Sequence, residues 1–255
     1  MKRVVALSVI GSTSWVAVGS GQVTGMRLID LSHPVSATMP AWPGSKTAFR
    51  LDTIVASPTA AMFNWFIPEH LGTHLDAPRH GSGSGATTER IALDRLIAPA
   101  RVIDIRAAVG NNPDYQVTAA DITAHEASVG PIPPGTFVII RTGWAAKWGE
   151  PSYFGARVEG GRTVLHFPSL GLEAAKLLIA RQVGAVAVDC PSTDYGAATA
   201  FLVHGAFGRA GIPAVENLVD PVDVPVTGAT LIALTPKVVG GSGGPVRVVA
   251  MVPEK

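Results

Sequence analysis

Two short runs, Phe137-Val138-Ile139-Ile140 and Ala185-Val186-Ala187-Val188, contain no polar residue. Runs this short do not make a buried helix, and a strand with one wet face would alternate polar with apolar residues. Each therefore reads as a strand covered on both faces, the second from Ala185 to Val188 and the first within a longer run from Thr136 to Arg141. Such strands lie inside a sheet with helices packed against it. The helices are also legible. Thr118 offers an N-cap for a helix from Ala119 to Val129, with Glu126 on its solvated face. Ser169 to Gln182 carries helical spacing through Leu172, Ala175, Leu178 and Ile179. Ala198 to Arg209 reads as a third helix, ended by Gly211 and Pro213. Further strands are expected after Met26, at Ala61 to Ile67, Ala100 to Ile105, Leu231 to Leu234 and Val246 to Val252, with a short turn or helix at Ile91 to Leu96. Gly81-Ser82-Gly83-Ser84-Gly85 reads as flexible loop.

The expected architecture is one α/β domain. A chain of 255 residues, 47% of them hydrophobic, buries a sizeable core. It shows no internal repeat and no linker-like shift in composition. Lys and Arg number 20 against 19 Asp and Glu, with no block of either sign, so nothing points to nucleic acid and the expected partner is a small molecule. Cys190 is the only cysteine, which excludes an intramolecular disulfide; within Val186 to Pro191 it is expected to be buried and inert. Residues 1–25 are set apart from the domain expected over 26–255. Lys2 and Arg3 precede an uncharged stretch resembling a secretory signal, but Ser8, Gly11, Ser12, Thr13, Ser14 and Gly19 dilute it, and it is too short and polar to span a bilayer. The segment reads as a poorly ordered extension, a misassigned start or a weak export signal. The expected location is the cytoplasm, with export the alternative if the segment acts as a signal.

Chemistry concentrates in His70-Leu71-Gly72-Thr73-His74-Leu75-Asp76-Ala77-Pro78-Arg79-His80, the densest set of metal-capable side chains in the chain. Positions i, i+4 and i+6 share parity, so on an extended backbone His70, His74 and Asp76 point one way, with Gly72 leaving room between them. On a helix Asp76 would lie about 240° round from His70. Gly72, Thr73 and Pro78 favour the extended form. Downstream, His204 and Glu216 form a further pair that a helix returning into a strand would bring together. On spacing alone the plainer reading, a core histidine and a solvated carboxylate, is the favoured one. Gly240-Gly241-Ser242-Gly243-Gly244 has the form Gly-x-Ser-x-Gly, but no histidine follows Ser242 to complete a triad in that chain order, so it reads as a tight turn. Neither Cys-x-x-Cys nor His-Glu-x-x-His occurs.

The pattern His-x-Gly-Thr-His-x-Asp-x-Pro-x-His resembles the signature of the cyclase family of metal-dependent hydrolases, which includes bacterial kynurenine formamidases and isatin hydrolases. The resemblance runs from about Leu28 onward through Asp30-Leu31-Ser32-His33, Trp42-Pro43-Gly44, Arg141-Thr142-Gly143-Trp144, His166-Phe167-Pro168, His204 and Glu216-Asn217-Leu218. It departs at Ser169, where many relatives place Gly. The resemblance implies an α/β fold around a mixed, partly barrel-like sheet flanked by helices, in a homodimer or homotetramer. It implies Zn2+ or Mn2+, one or two ions: His70, His74, Asp76 and Glu216 on the first, Asp76, His204 and Glu216 on the second. His80 corresponds to the family's proton donor and acceptor, and Trp42 to its substrate-contacting aromatic; Phe63, Trp65 and Trp144 are further candidates for stacking. The function implied is hydrolysis of a C–N bond in a small, aromatic amide, as an arylformamidase does. A cyclic amide or lactone hydrolase of the isatin type is the alternative, and a non-catalytic metal-binding relative the second.

Overall fold

The two apolar runs lie side by side at the centre of the sheet. Phe137–Arg141 and Ala185–Val188 pair in parallel, with Ile97–Asp104 and Ala214–Glu216 as their outer parallel neighbours, and every residue of the two central strands is buried. Their side chains alternate between two cores, as a pleated backbone requires. Val138, Ile140, Val186 and Val188 join one apolar cluster; Phe137, Ile139, Ala185 and Ala187 join the other. The structure is a computed structural model describing residues 25–45 and 48–254, so the expectation for residues 1–25 lies almost wholly outside the described residues.

Antiparallel strands extend the sheet at both ends. Thr230–Leu234, Arg247–Pro253 and Met26–Asp30 follow beyond Ile97–Asp104, while His74–Asp76 and Gly243–Pro245 follow beyond Ala214–Glu216. The nine strands form one mixed sheet curled into a half-barrel. Its inner cluster draws on both ends at once, through Leu75 and Val215 from one and Val248 and Ala250 from the other. Alanines at 98, 100, 185, 187, 233 and 250 keep that interior narrow enough to close. The other face is covered by Ala119–Val129, Leu172–Ala180 and Leu202–Ala210, which bury Ile122, Ala174, Ala175, Leu178, Val203 and Phe207. Burying each large aliphatic or aromatic side chain there stabilises the fold by about 1.5–3 kcal/mol.

Local readings fared unevenly. Thr118 closes a capping box with Asp121, accepting its N–H at 3.1 Å while the Asp121 carboxylate accepts the Thr118 N–H at 2.7 Å. Glu126 is not solvated: it accepts from Arg181 at 2.7 and 2.8 Å and from the Ile132 N–H at 3.1 Å, tying the helix to its neighbour. Ser169 and Leu170 form a short strand rather than the start of a helix, because the Ser169 hydroxyl donates to the Ser192 and Thr193 carbonyls. The third helix begins at Leu202, not Ala198. Gly81 to Gly85 is not a flexible loop. Pro78–Ser82 is a helical turn pressed against Leu202–Ala210 so closely that a Cβ on Gly81 would lie 2.0 Å from the His204 carbonyl oxygen. Ala61–Phe66 is a strand as expected, but it forms an exposed two-stranded ribbon with Arg50–Ala56.

Candidate metal centre

His74 and Asp76 are two apart on one strand, so they share a face, and Glu216 sits directly opposite His74 on the adjoining strand. Three donors thus converge by register alone. His70 arrives differently from the extended run read from sequence. Gly72 adopts φ +70°, a left-handed conformation that costs glycine little, and the turn folds His70 back until its Nδ1 lies 2.6 Å from Asp76 Oδ1. His204 enters from the first turn of Leu202–Ala210. Asp194, on a separate loop, accepts the Val203 and His204 N–H groups at 2.9 and 3.0 Å and His204 Nδ1 at 2.6 Å. One carboxylate therefore caps the helix and fixes the ring.

The two central carboxylates face both ways. Asp76 Oδ1 is 2.6 Å from His70 Nδ1 and 3.3 Å from His74 Nε2, while Asp76 Oδ2 is 3.3 Å from His204 Nε2. Glu216 Oε2 lies 3.5 Å from His74 Nε2, and Glu216 Oε1 lies 3.2 Å from His204 Nε2, where it also accepts the Thr193 N–H at 2.7 Å. His74, Asp76 and Glu216 are all buried. Asp76 Oδ2 has no hydrogen-bond partner, one of two such buried side-chain atoms among the described residues. A buried carboxylate oxygen left bare among imidazoles is costly, and a divalent cation removes that cost. Neutral imidazoles and carboxylates are the donors that zinc and manganese take, so the residues present fit the implied ion.

Burial pushes the His74 imidazole down, but Asp76, Glu216 and the Gly72 carbonyl outweigh it and raise its pKa to about 9. Burial likewise opposes protonation of His204, yet Asp194, Asp76 and Glu216 hold its pKa well above the usual value. Burial alone would raise Asp76; the imidazoles of His204, His70 and His74 beside it keep it well below the usual carboxylate range. His80 behaves oppositely. Loss of solvent around its ring lowers its pKa, the Asp76 charge opposes this, and repulsion from His70 and His204 adds to it. Its ring stacks on His70 at 3.8 Å and stands 5.4 Å from His204.

A cavity of about 350 Å³ opens over these groups, lined among others by His70, His80, Trp42, Phe154 and Phe201. Trp42 meets Phe154 and Phe201 at centroid distances of 5.7 and 6.3 Å. The other aromatic candidates are elsewhere. Phe63 and Trp65 are on the exposed ribbon, and Trp144 is buried with its indole N–H donating to the Tyr153 carbonyl at 2.7 Å. Cys190 is fully buried, and that burial raises its thiol pKa well above the usual value. The structure brings His70, His74, Asp76, His80, His204, Glu216 and Trp42 to one place. Sequence reasoning missed Asp194, Thr193, Phe154, Phe201, Glu69 and Ser242. Only adjacency to His70 marked Glu69, Ser242 stood out only through the glycine-rich motif read as a tight turn, and the rest carried no signal separable from ordinary loop or core.

The Cyclase family model matches residues 29–195. The isatin hydrolase of Roseibium aggregatum is 33% identical over 201 residues, 75% of this chain and 75% of that protein. The kynurenine formamidase of Salinibacter ruber is 30% identical over 236 residues, covering 88% of this chain and 97% of its own. Among solved structures, an isatin hydrolase bound to the product analogue thioisatinate superposes with a TM-score of 0.83 at 28% identity, over 90% of this chain and 94% of that one. No helix among the described residues is long and apolar enough to cross a membrane.

Proposed function

The chain belongs to the Cyclase family, and from that premise we propose that it is a metal-dependent amidohydrolase cleaving the C–N bond of a small aromatic amide, as an arylformamidase does. The observation that carries this reading is the cluster of three imidazoles and two carboxylates, built on buried His74, Asp76 and Glu216, with Asp76 Oδ2 bare at its centre and His80 beside it. His70, His74, Asp76 and Glu216 would hold one ion, Zn2+ or Mn2+, and Asp76, His204 and Glu216 a second. The bridging role of both carboxylates is supported by the way each turns one oxygen toward His74 and the other toward His204. Such an ion supplies Lewis acidity to a scissile carbonyl and brings the pKa of water toward about 7.

The protein's own part is to orient the amide and to move protons. Trp42, Phe154 and Phe201 offer aromatic surfaces to a planar ring at the cavity mouth. His80 is poised as a base because its lowered pKa keeps the imidazole neutral near pH 7. It takes a proton from the attacking water and returns it to the departing nitrogen. A cyclic amide of the isatin type is the second reading. It is favoured by the greater identity to the isatin hydrolase, and it uses the same residues. A homodimer or homotetramer is in keeping with the exposed ribbon, where Leu51, Met62, Trp65 and Phe66 are 53, 55, 61 and 46% exposed. The test of function is His80→Ala. The variant is expected to keep its metal and lose turnover by about 10²–10⁴-fold; full turnover in the variant would reject His80 as the proton carrier.

A further inference from the structure

Each histidine of the centre is oriented by whatever its other ring nitrogen meets. His74 Nδ1 lies 2.9 Å from the Gly72 carbonyl, which only accepts, so the proton is on Nδ1 and Nε2 is left for a cation. His204 Nδ1 meets the Asp194 carboxylate at 2.6 Å, which again leaves Nε2. His70 is reversed. Its Nε2 is 3.2 Å from the Ser242 hydroxyl, and that hydroxyl gives its one hydrogen to Glu69 Oε2. A hydroxyl whose proton is committed can only accept, so His70 must donate from Nε2. Nδ1, directed at Asp76 Oδ1, is the nitrogen left for the site.

Ser242 has little freedom to do otherwise. Its N–H donates to both Glu69 oxygens at 3.2 Å, and its carbonyl accepts the Ala77 N–H at 2.9 Å. The next residue, Gly243, pairs with Asp76 in the sheet. A Cβ on Gly243 would lie 2.5 Å from His70 Cε1, so the glycine-rich strap is shaped to the ring it holds. The Gly240 to Gly244 motif is thus more than a turn between strands.

We infer that Glu69 and Ser242 are positioning residues that make His70 bind the metal through Nδ1, in a centre where His74 and His204 bind through Nε2. This rests on the metal centre proposed above. It is tested on zinc-loaded, 15N-labelled protein by long-range 1H–15N correlation of the histidine rings, with zinc affinity measured by chelator competition. The expected spectrum has two histidines bound through Nε2 and one through Nδ1, the last with a slowly exchanging Nε2–H. Ser242→Ala should lose the slow exchange and weaken zinc binding by about 10–100-fold. Glu69→Gln, which keeps an acceptor for the serine, should fall between the two and serves as the test if the alanine variant does not fold. Zinc bound through three Nε2 atoms, or a Ser242→Ala protein with unaltered exchange and affinity, overturns this inference and leaves the metal centre standing. Protein that binds no zinc overturns both.

Discussion

Gly81→Ala is a single added methyl whose consequence can be worked out from the structure. The new Cβ would lie 2.0 Å from the His204 carbonyl oxygen and 2.6 Å from its carbon, whereas ordinary contact begins at 3.4 Å. Both are backbone atoms, so no side chain can swing aside. Gly208 closes the same crossing from the other helix, 2.8 Å from the Gly81 carbonyl carbon by the same construction. Pro78–Ser82 and Leu202–Ala210 must therefore part by about 1 Å, at a cost of about 1–3 kcal/mol. The displacement falls between His80 and His204, whose rings are 5.4 Å apart. A misplacement of that size costs about 10²-fold in rate. The expected result is a melting temperature lower by about 2–4 °C per kcal/mol and turnover down about a hundredfold, with metal content kept. Gly83→Ala is the control. Gly83 has φ +67° and nothing within 4 Å of its Cβ, so it should lose about 1–2 kcal/mol of stability and keep its turnover. A Gly81→Ala enzyme as fast as the unaltered protein, or a Gly83→Ala enzyme as slow, would refute the reasoning.

Trp42→Ala should raise KM for an aromatic formamide by about tenfold, matching about 1 kcal/mol of lost ring contact, with kcat nearly unchanged; an unaltered KM leaves Trp42 as packing against Phe154. His33 stacks on Trp148 at 3.9 Å, and burial, against the Leu218 carbonyl hydrogen bond, lowers its pKa from 6.5 to about 4. A folded pKa below the unfolded one means that its contribution is complete above pH 6.5 and is lost as pH falls toward 4. Denaturant titrations at pH 7 and pH 4.5 should show a shallower acid loss in His33→Phe than in the unaltered protein, and equal losses in both would reject the assignment.

The middle of the fold was legible because its causes are local. Phe137 to Ile140 and Ala185 to Val188 are apolar at every position, which admits little besides a doubly covered strand. The Thr118 cap and the Gly211 helix end follow from side-chain and backbone chemistry within a few residues. What failed depended on distant partners. Glu126 looks solvated until Arg181 arrives from another helix, and Gly81 looks loose until Leu202–Ala210 presses on it. The site divides along the same line. His74 and Asp76 were readable by parity and Glu216 by resemblance, while His70 reaches them through a turn at Gly72 that parity did not foresee. Asp194 and Ser242 stand 10 and 172 residues from the histidines they orient; loop composition gave no sign of Asp194, and the glycine-rich motif around Ser242 did not say which ring it meets.

Metal content by elemental analysis on protein purified without chelator, paired with turnover of N-formylkynurenine and of isatin before chelation, after it and after metal is restored, tests the central claim most directly. One or two equivalents of zinc or manganese are expected per chain, with hydrolysis of at least one compound lost on chelation and regained on reloading. A chain that holds no metal, or hydrolyses either compound equally well without it, would contradict the account.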